Sequence, residues 1–475
     1  MSEIDRRQLR KESVGTAHIV FFVVAAAAPL TAVLGASPAA FAFGNGPGVP
    51  AVYILVGLLY LLFSAGFTAM SRYVQSASGF YAYVVSGLGR PAGAVVAAVA
   101  LTSYQAIALG AYGLFGFFAS QSAARAGFHL SWWLAVLPLL AFVQFCGQRA
   151  VTFGGNILGV CMMGEIAILV ALCCAILAVN TTPLAVTVPP ASIFGRGLGI
   201  AIVFVVASFI GFEATVIFGE EAKEPALTIP RATYIAVILI AIFYGLCTWS
   251  VSIYYGAAKI SAAAARDPGN LYLRPISALL GPRAQVITQA LLLTSLFACV
   301  LSFHSTIARY LFSMAAEGFA PLNLGRIHVV HGSPHVAGMV QTLATLVMVA
   351  FAALGGVDPF AGLFAWAGTF ASLGVLTIQI LTSFAVFQFF RCKPGTTSFL
   401  KGTVAPLAAA LGLTACLALA IVNLPLIAGS ASHFVFLLPA GIILAALAGW
   451  AAGLVLPHPA NTEKLLVPAI AESER

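Results

Sequence analysis

Glu165 and His304 each stand in the middle of a long apolar run. An ionisable side chain there costs several kcal/mol unless it is paired or wet, so both are candidates for chemistry. Counted from the ends of their runs, both lie about twelve residues, roughly 18 Å, from the same face, a depth at which they can approach each other. A buried carboxyl with hydroxyl or imidazole neighbours can take up and release a proton. Ser302, His304 and Ser305 offer such neighbours on one helix, and with Glu165 they form a candidate proton-handling set. A second carboxyl, Glu213, closes the stretch Ser208-Phe209-Ile210-Gly211-Phe212. Two roles stand open for it: capping a broken helix, or meeting a proton or a substrate amine. His328, His331 and His335 lie in a Gly/Pro-containing connection with no helical spacing to align them, so a loop is expected there and no metal site. The 8 cysteines fall almost entirely in apolar runs, where they act as small hydrophobes, and no spacing reads as zinc ligands or a disulfide framework. HExxH, GxSxG and GxxxxGK[ST] are all missing. Neither enzyme chemistry nor nucleotide-driven pumping is expected from this sequence, and no cofactor is called for.

The elements that must position these residues follow from composition. Of 475 residues, 61% are hydrophobic and only 8% charged, and mean hydropathy is +1.03. A soluble surface needs about 25% charge, so most of this exterior must face lipid. The net charge of +8 is better matched to anionic lipid than to nucleic acid, which is excluded as a partner. Stretches of roughly 20 apolar residues can cross a bilayer. They predict twelve spans, at 18–43, 49–70, 91–119, 131–148, 154–179, 196–219, 229–257, 284–316, 336–355, 359–390, 403–424 and 432–456. The first is too long for the core of a cleaved signal peptide and is expected to remain as a span. With the N-terminus inside, sixteen of the 22 Lys and Arg fall on the cytoplasmic side and six outside, so both termini are expected in the cytoplasm. Residues Arg72–Arg90 read as an interfacial amphipathic helix, and Glu317–His335 as a second. Glu220, Glu221 and Glu224 read as a solvated loop, and Thr228 before Ile229-Pro230 as the cap and start of span seven.

Two spans are predicted to be interrupted. Span one contains Ala27-Ala28-Pro29-Leu30-Thr31, where Pro29 removes a ladder hydrogen bond and clashes with the preceding turn. Span six contains Ser208 and Gly211, which permit local unwinding just before Glu213. The breaks lie five spans apart, as in a five-plus-five inverted repeat with its site at the midplane. Bare N–H groups at one half-helix end hold a carboxylate, and carbonyls at another hold an ammonium. A zwitterion therefore fits between the breaks without a charged side chain. The candidate substrate residues are Ala27, Ala28, Pro29, Leu30, Thr31, Ser208, Phe209, Ile210, Gly211, Phe212 and Glu213.

Beyond the breaks, the stretch Gly211-Phe212-Glu213, Gly219-Glu220-Glu221-Ala222-Lys223-Glu224-Pro225 and Thr228-Ile229-Pro230-Arg231-Ala232 resembles the GFE…GEEAKNP…TIPRA pattern of the amino acid–polyamine–organocation superfamily. Phe303-His304-Ser305-Thr306 with Ala308-Arg309-Tyr310-Leu311-Phe312, then Gly318, Pro321 and Ser333-Pro334-His335, is similar to the HNxxARYxF…DGxxP…SPH pattern of bacterial members. The resemblance implies an all-α, LeuT-type fold of twelve transmembrane helices with helices 1 and 6 broken, and ion-coupled uptake of a small amino acid. It also implies that Glu165 stands where proton-coupled relatives carry a Lys, near the sodium site of sodium-coupled ones. Protons are therefore expected as the coupling ion in preference to sodium. The chain departs from its relatives in an Ala-rich span-one break, Ala207 in place of a gating Trp, and Glu224 in place of Asn. The expected organisation is a cytoplasmic segment 1–17, a ten-helix transport core 18–391, two further spans in 392–456 and a cytoplasmic tail 457–475, in the cell's inner membrane. Rival readings are a permease for a small amine or polyamine, or an exchanger or channel without net ion drive.

Overall fold

The computed structural model describes residues 15–74, 79–148, 155–180, 190–195, 197–213, 215–216, 222–328, 331–427 and 433–456. The N-terminal segment up to residue 14, Glu220, Glu221 and the tail 457–475 lie outside them. The described chain is built of helices. In order they are α1 (Thr16–Ala27), α2 (Pro29–Phe43), α3 (Val49–Met70), α4 (Phe80–Leu88), α5 (Arg90–Arg125) and α6 (Trp132–Gln148), then α7 (Gly155–Val179), α8 (Leu198–Phe209) and α9 (Pro225–Tyr255). There follow α10 (Ile260–Arg266), α11 (Leu273–Leu280), α12 (Pro282–Ala316), α13 (His335–Leu354), α14 (Pro359–Arg391), α15 (Leu400–Val422) and α16 (Leu437–Val455). Among the described residues 9 helical stretches are long and apolar enough to cross a membrane, and α2, α6 and α8 are shorter apolar helices. Long apolar helices are the natural answer to a lipid solvent, because each satisfies its own backbone.

Lipid gives helices little hydrophobic reason to associate, so close contact through small residues takes over. A Cβ at Gly57 on α3 would strike Ala241 on α9, and one at Gly374 on α14 would strike Ser103 on α5. The two glycines let those helix pairs approach at the centre of the molecule.

Three expectations need correction. The described residues of Arg72–Arg90 do not form an amphipathic surface helix. Their helix α4 buries Phe80, Tyr81, Ala82, Tyr83 and Val84 against α5 and α14, where each aromatic ring puts a large apolar area into contact. In Glu317–His335 the described residues form only a tight turn at Leu322–Gly325 before α13 begins. Span seven starts earlier than Thr228. Pro225 occupies the first helical position, where its fixed φ is preorganised. Pro230 is accommodated inside the helix, and the Thr228 hydroxyl donates to the Lys223 carbonyl at 2.5 Å instead of capping. In the connection before α13 the three histidine rings lie together, with centroids 4.8 Å apart for His328–His331 and 5.4 Å for His328–His335. They meet as ring contacts, and the described residues contain no group of three or more side chains set to hold a metal ion.

Candidate functional site

The first interruption falls at Ala28. Its φ of 43° and ψ of 81° lie in the left-handed region, which ends α1, and Pro29 restarts the chain as α2. Proline at the first position of a helix sacrifices no hydrogen bond, so the restart costs little. α2 widens into a π-turn over Ala32–Ala36. The second interruption follows Phe209. Ile210 is extended at ψ 130° and Gly211 has φ 113°, a conformation open to glycine alone at little cost.

Each interruption has its own carboxylate. Glu165 on α7 is buried, and its Oε2 accepts from the Leu30 backbone N–H at 3.4 Å. Leu30 is the second residue of α2, so the acid sits on the positive end of that helix. The Tyr244 hydroxyl donates to the Ala27 carbonyl at 3.3 Å on the other side of the gap. Thr31 Oγ1 donates to Ser295 Oγ at 3.3 Å, and the Ser295 hydroxyl also reaches the Glu165 carboxyl. At the second break Glu213, likewise buried, accepts from its own neighbour Gly211 N–H at 3.0 Å and from the Tyr104 hydroxyl at 3.1 Å. Around that break Tyr60 stacks on Phe209 with centroids 5.0 Å apart and meets Phe212 edge-on at 5.0 Å. Tyr53 and Ser208 share a hydrogen bond of 3.0 Å.

Between the interruptions lies a cavity of about 60 Å³. Of the candidate substrate residues, Ala27, Thr31, Ser208 and Ile210 line it. Ala28, Pro29, Leu30, Phe209, Gly211, Phe212 and Glu213 are not on its wall. They are buried in the backbone turns and the aromatic packing behind it. Sequence reasoning missed the opposite wall, where Ala111 on α5, Phe303 on α12 and Phe364 and Gly368 on α14 face the space. The spacing Ala365, Gly368, Ser372 does repeat at helical intervals, but such small-residue stripes also serve helix contacts.

The candidate proton set separates. Ser295, which touches Thr31, lies nine residues before His304 on α12, roughly 13 Å along the helix. His304 turns to α13 instead, where its Nδ1 meets Gln341 Oε1, and the Gln341 amide donates to Thr345 Oγ1 at 3.1 Å. Gln105 on α5 donates to the same Thr345 oxygen at 2.7 Å. Equal residue counts misled because α12 has 35 residues, roughly 52 Å of helix, far more than the ~30 Å hydrocarbon core. A helix this long must extend beyond the core at one end or both, so distance from an end is not depth. Ser302 is buried with no hydrogen-bond partner for its hydroxyl, and Ser305 is half-buried. Ser295 was the missed neighbour of Glu165.

Interrupted apolar helices enclosing a small cavity define a multi-pass, all-helical membrane protein of the permease kind. The chain matches the amino acid permease family over residues 18–444 and belongs to it. It is similar to the gamma-aminobutyric acid permease of Escherichia coli, 26% identical over 325 residues that make up 64% of this chain and 66% of that one. A branched-chain amino acid permease, BcaP, of Bacillus subtilis is 26% identical over 235 residues, 48% of this chain and 46% of the relative. A probable GABA permease of Pseudomonas aeruginosa is 32% identical over 142 residues, 29% of this chain and 28% of the relative. The chain thus covers under two thirds of the last two relatives and about that share of the first. The family is one of transporters rather than enzymes.

Proposed function

We propose that this protein is a secondary active transporter that imports a small amino acid, coupled to protons, by alternating access. In this reading twelve spans sit in the inner membrane with both termini cytoplasmic. The first ten form a LeuT-type five-plus-five repeat, with α15 and α16 outside it. The observation that carries the proposal is the pair of interruptions at Ala28 and Gly211, whose flanking residues Ala27, Thr31, Ser208 and Ile210 line one cavity.

The Leu30 N–H at the start of α2 is where a substrate carboxylate would be held. Glu165 takes that same N–H. Two anions compete for one helix end, so ionised Glu165 disfavours the substrate and protonated Glu165 admits it. By reciprocity the substrate then raises the affinity of Glu165 for a proton, which is coupling in its simplest form. Ser295 and Thr31 belong to this set, and His304 with its Gln341–Thr345–Gln105 chain ties α5, α12 and α13 into the framework against which the rest moves. The membership of the amino acid permease family and the printed names of the relatives favour an amino acid as cargo.

The test is uptake of labelled amino acids into proteoliposomes holding the purified protein, with and without an inwardly directed proton gradient. Accumulation above equilibrium that needs the gradient is the expected result. Equal uptake in both conditions would remove proton coupling, and no uptake of any amino acid would remove the permease assignment of the cavity.

A further inference from the structure

The wall of the central cavity carries no charged side chain among the described residues. Three hydroxyls reach it, and each already donates its hydrogen within the protein. Thr31 Oγ1 donates to Ser295 Oγ at 3.3 Å, Ser208 Oγ to the Phe204 carbonyl at 3.2 Å, and Ser372 Oγ to the Gly368 carbonyl at 2.9 Å. The rest of the wall is alanine, glycine, cysteine and larger apolar side chains. A second carboxylate pushed against this surface would find no free hydroxyl hydrogen, and an ammonium or guanidinium would meet only these scattered hydroxyl oxygens, too few for its several N–H groups, so each would lose more in leaving water than it regains, whereas a hydrocarbon group would lose nothing.

Size restricts the guest further. The space is about 60 Å³, whereas an apolar cavity known to accept benzene measures about 150 Å³. Gly368 on α14 is the position where the wall recedes. A Cβ built there would meet no atom within 4 Å, in contrast to Gly57 and Gly374, whose added Cβ would collide with a neighbouring helix. Helix packing therefore does not account for Gly368, and the room beside it belongs to the cavity it lines.

We infer that the site accepts α-amino acids with a small aliphatic side chain, and that Gly368 sets the upper size of that side chain. This rests on the permease reading above, in which the α-carboxylate and α-ammonium go to the helix ends and the side chain is left against the wall. An ω-amino acid such as GABA separates its two charges by three methylenes and would press one of them onto apolar surface. The inference thus parts this chain from the substrate named for its Escherichia coli relative.

The experiment is a thermal-shift series on the full-length protein in detergent, where a ligand of the folded state raises apparent stability. The probes are L-alanine, L-valine, L-phenylalanine, L-lysine, L-glutamate and GABA, against wild type and Gly368→Ala. Alanine and valine are expected to raise the melting temperature of the wild type, and the other four to leave it unmoved. One methyl group in an apolar pocket is worth about tenfold or more, so Gly368→Ala should weaken valine at least about tenfold more than alanine. Stabilisation by GABA, lysine or glutamate matching that by valine overturns the inference and leaves the permease reading in place. Equal weakening of alanine and valine by Gly368→Ala does the same. A wild type that responds to none of the six overturns the permease reading itself. If Gly368→Ala fails to fold, the wild-type series alone decides on the side-chain class.

Discussion

The two interruptions solve one problem in different ways. Both leave bare backbone groups in the middle of an apolar protein, and both recruit a carboxylate to a backbone N–H; Tyr244 serves the Ala27 carbonyl at the first, whereas Tyr104 donates to the carboxylate itself at the second. At Ala28 the acid comes from another helix: Glu165 on α7 reaches across to Leu30. At Gly211 the acid comes from the same strand of chain, because Glu213 folds back two residues to its own turn. A contact between helices can open when the helices shift, while a contact within a turn persists until the turn itself unfolds. The first break is thus suited to report a proton to the substrate site. The second is suited to hold its shape, and we propose that Glu213 serves there as the cap of the turn.

The sharpest way to break this comparison is Glu165→Gln. The amide keeps an oxygen for the Leu30 N–H but cannot change charge, so accumulation driven by a proton gradient should fall to the passive equilibrium level. Exchange of labelled for unlabelled substrate across the same vesicles should persist. Retained pH-driven accumulation in this variant would move coupling elsewhere and erase the distinction between the breaks. Next in size is Glu213→Ala, which strands the Gly211 N–H and the Tyr104 hydroxyl, both buried. Each unsatisfied group costs about 1–3 kcal/mol, so a loss of roughly 2–6 kcal/mol is expected, read as a lower apparent melting temperature in detergent. Glu213→Gln keeps one acceptor and should lose about half as much while still responding to a proton gradient. If Glu213→Gln instead abolishes that response at normal stability, the second break is also a proton site.

Much of this arrangement was legible beforehand, for physical reasons that also mark the limit. Apolar run length fixes a span, so the predicted 49–70 and 154–179 fall within a residue of Val49–Met70 and Gly155–Val179. Pro29 and Gly211 marked both breaks, since each residue acts on its own backbone. What stayed hidden depends on helix rotation and tilt. Ser295 is one serine within Leu-Leu-Leu-Thr-Ser-Leu, and nothing local says that it faces Thr31. The Gln105–Thr345–Gln341–His304 chain joins three helices, each of whose polar residues looks isolated alone. Pro230 misled because a proline in a helix normally marks its first turn, whereas here Pro225 had already begun it.

The smallest effects sharpen the comparison at the level of the backbone. Gly211 holds φ 113°, where any Cβ is strained, so Gly211→Ala should destabilise by about 1–3 kcal/mol. Ala28 holds φ 43° with its Cβ present, a left-handed conformation that costs an L-residue roughly 1–2 kcal/mol. Ala28→Gly removes that cost but adds chain entropy to the unfolded state, worth about 0.5–1 kcal/mol in the other direction. The net change should be a gain of about 0–1.5 kcal/mol. Opposite signs for these exchanges, measured side by side as melting temperatures, are expected if the second break is built around its glycine and the first is held open against the preference of its own residue. Its partners, Glu165 and Tyr244, would then supply the holding force, and a destabilised Ala28→Gly would show that the first turn is as locally determined as the second.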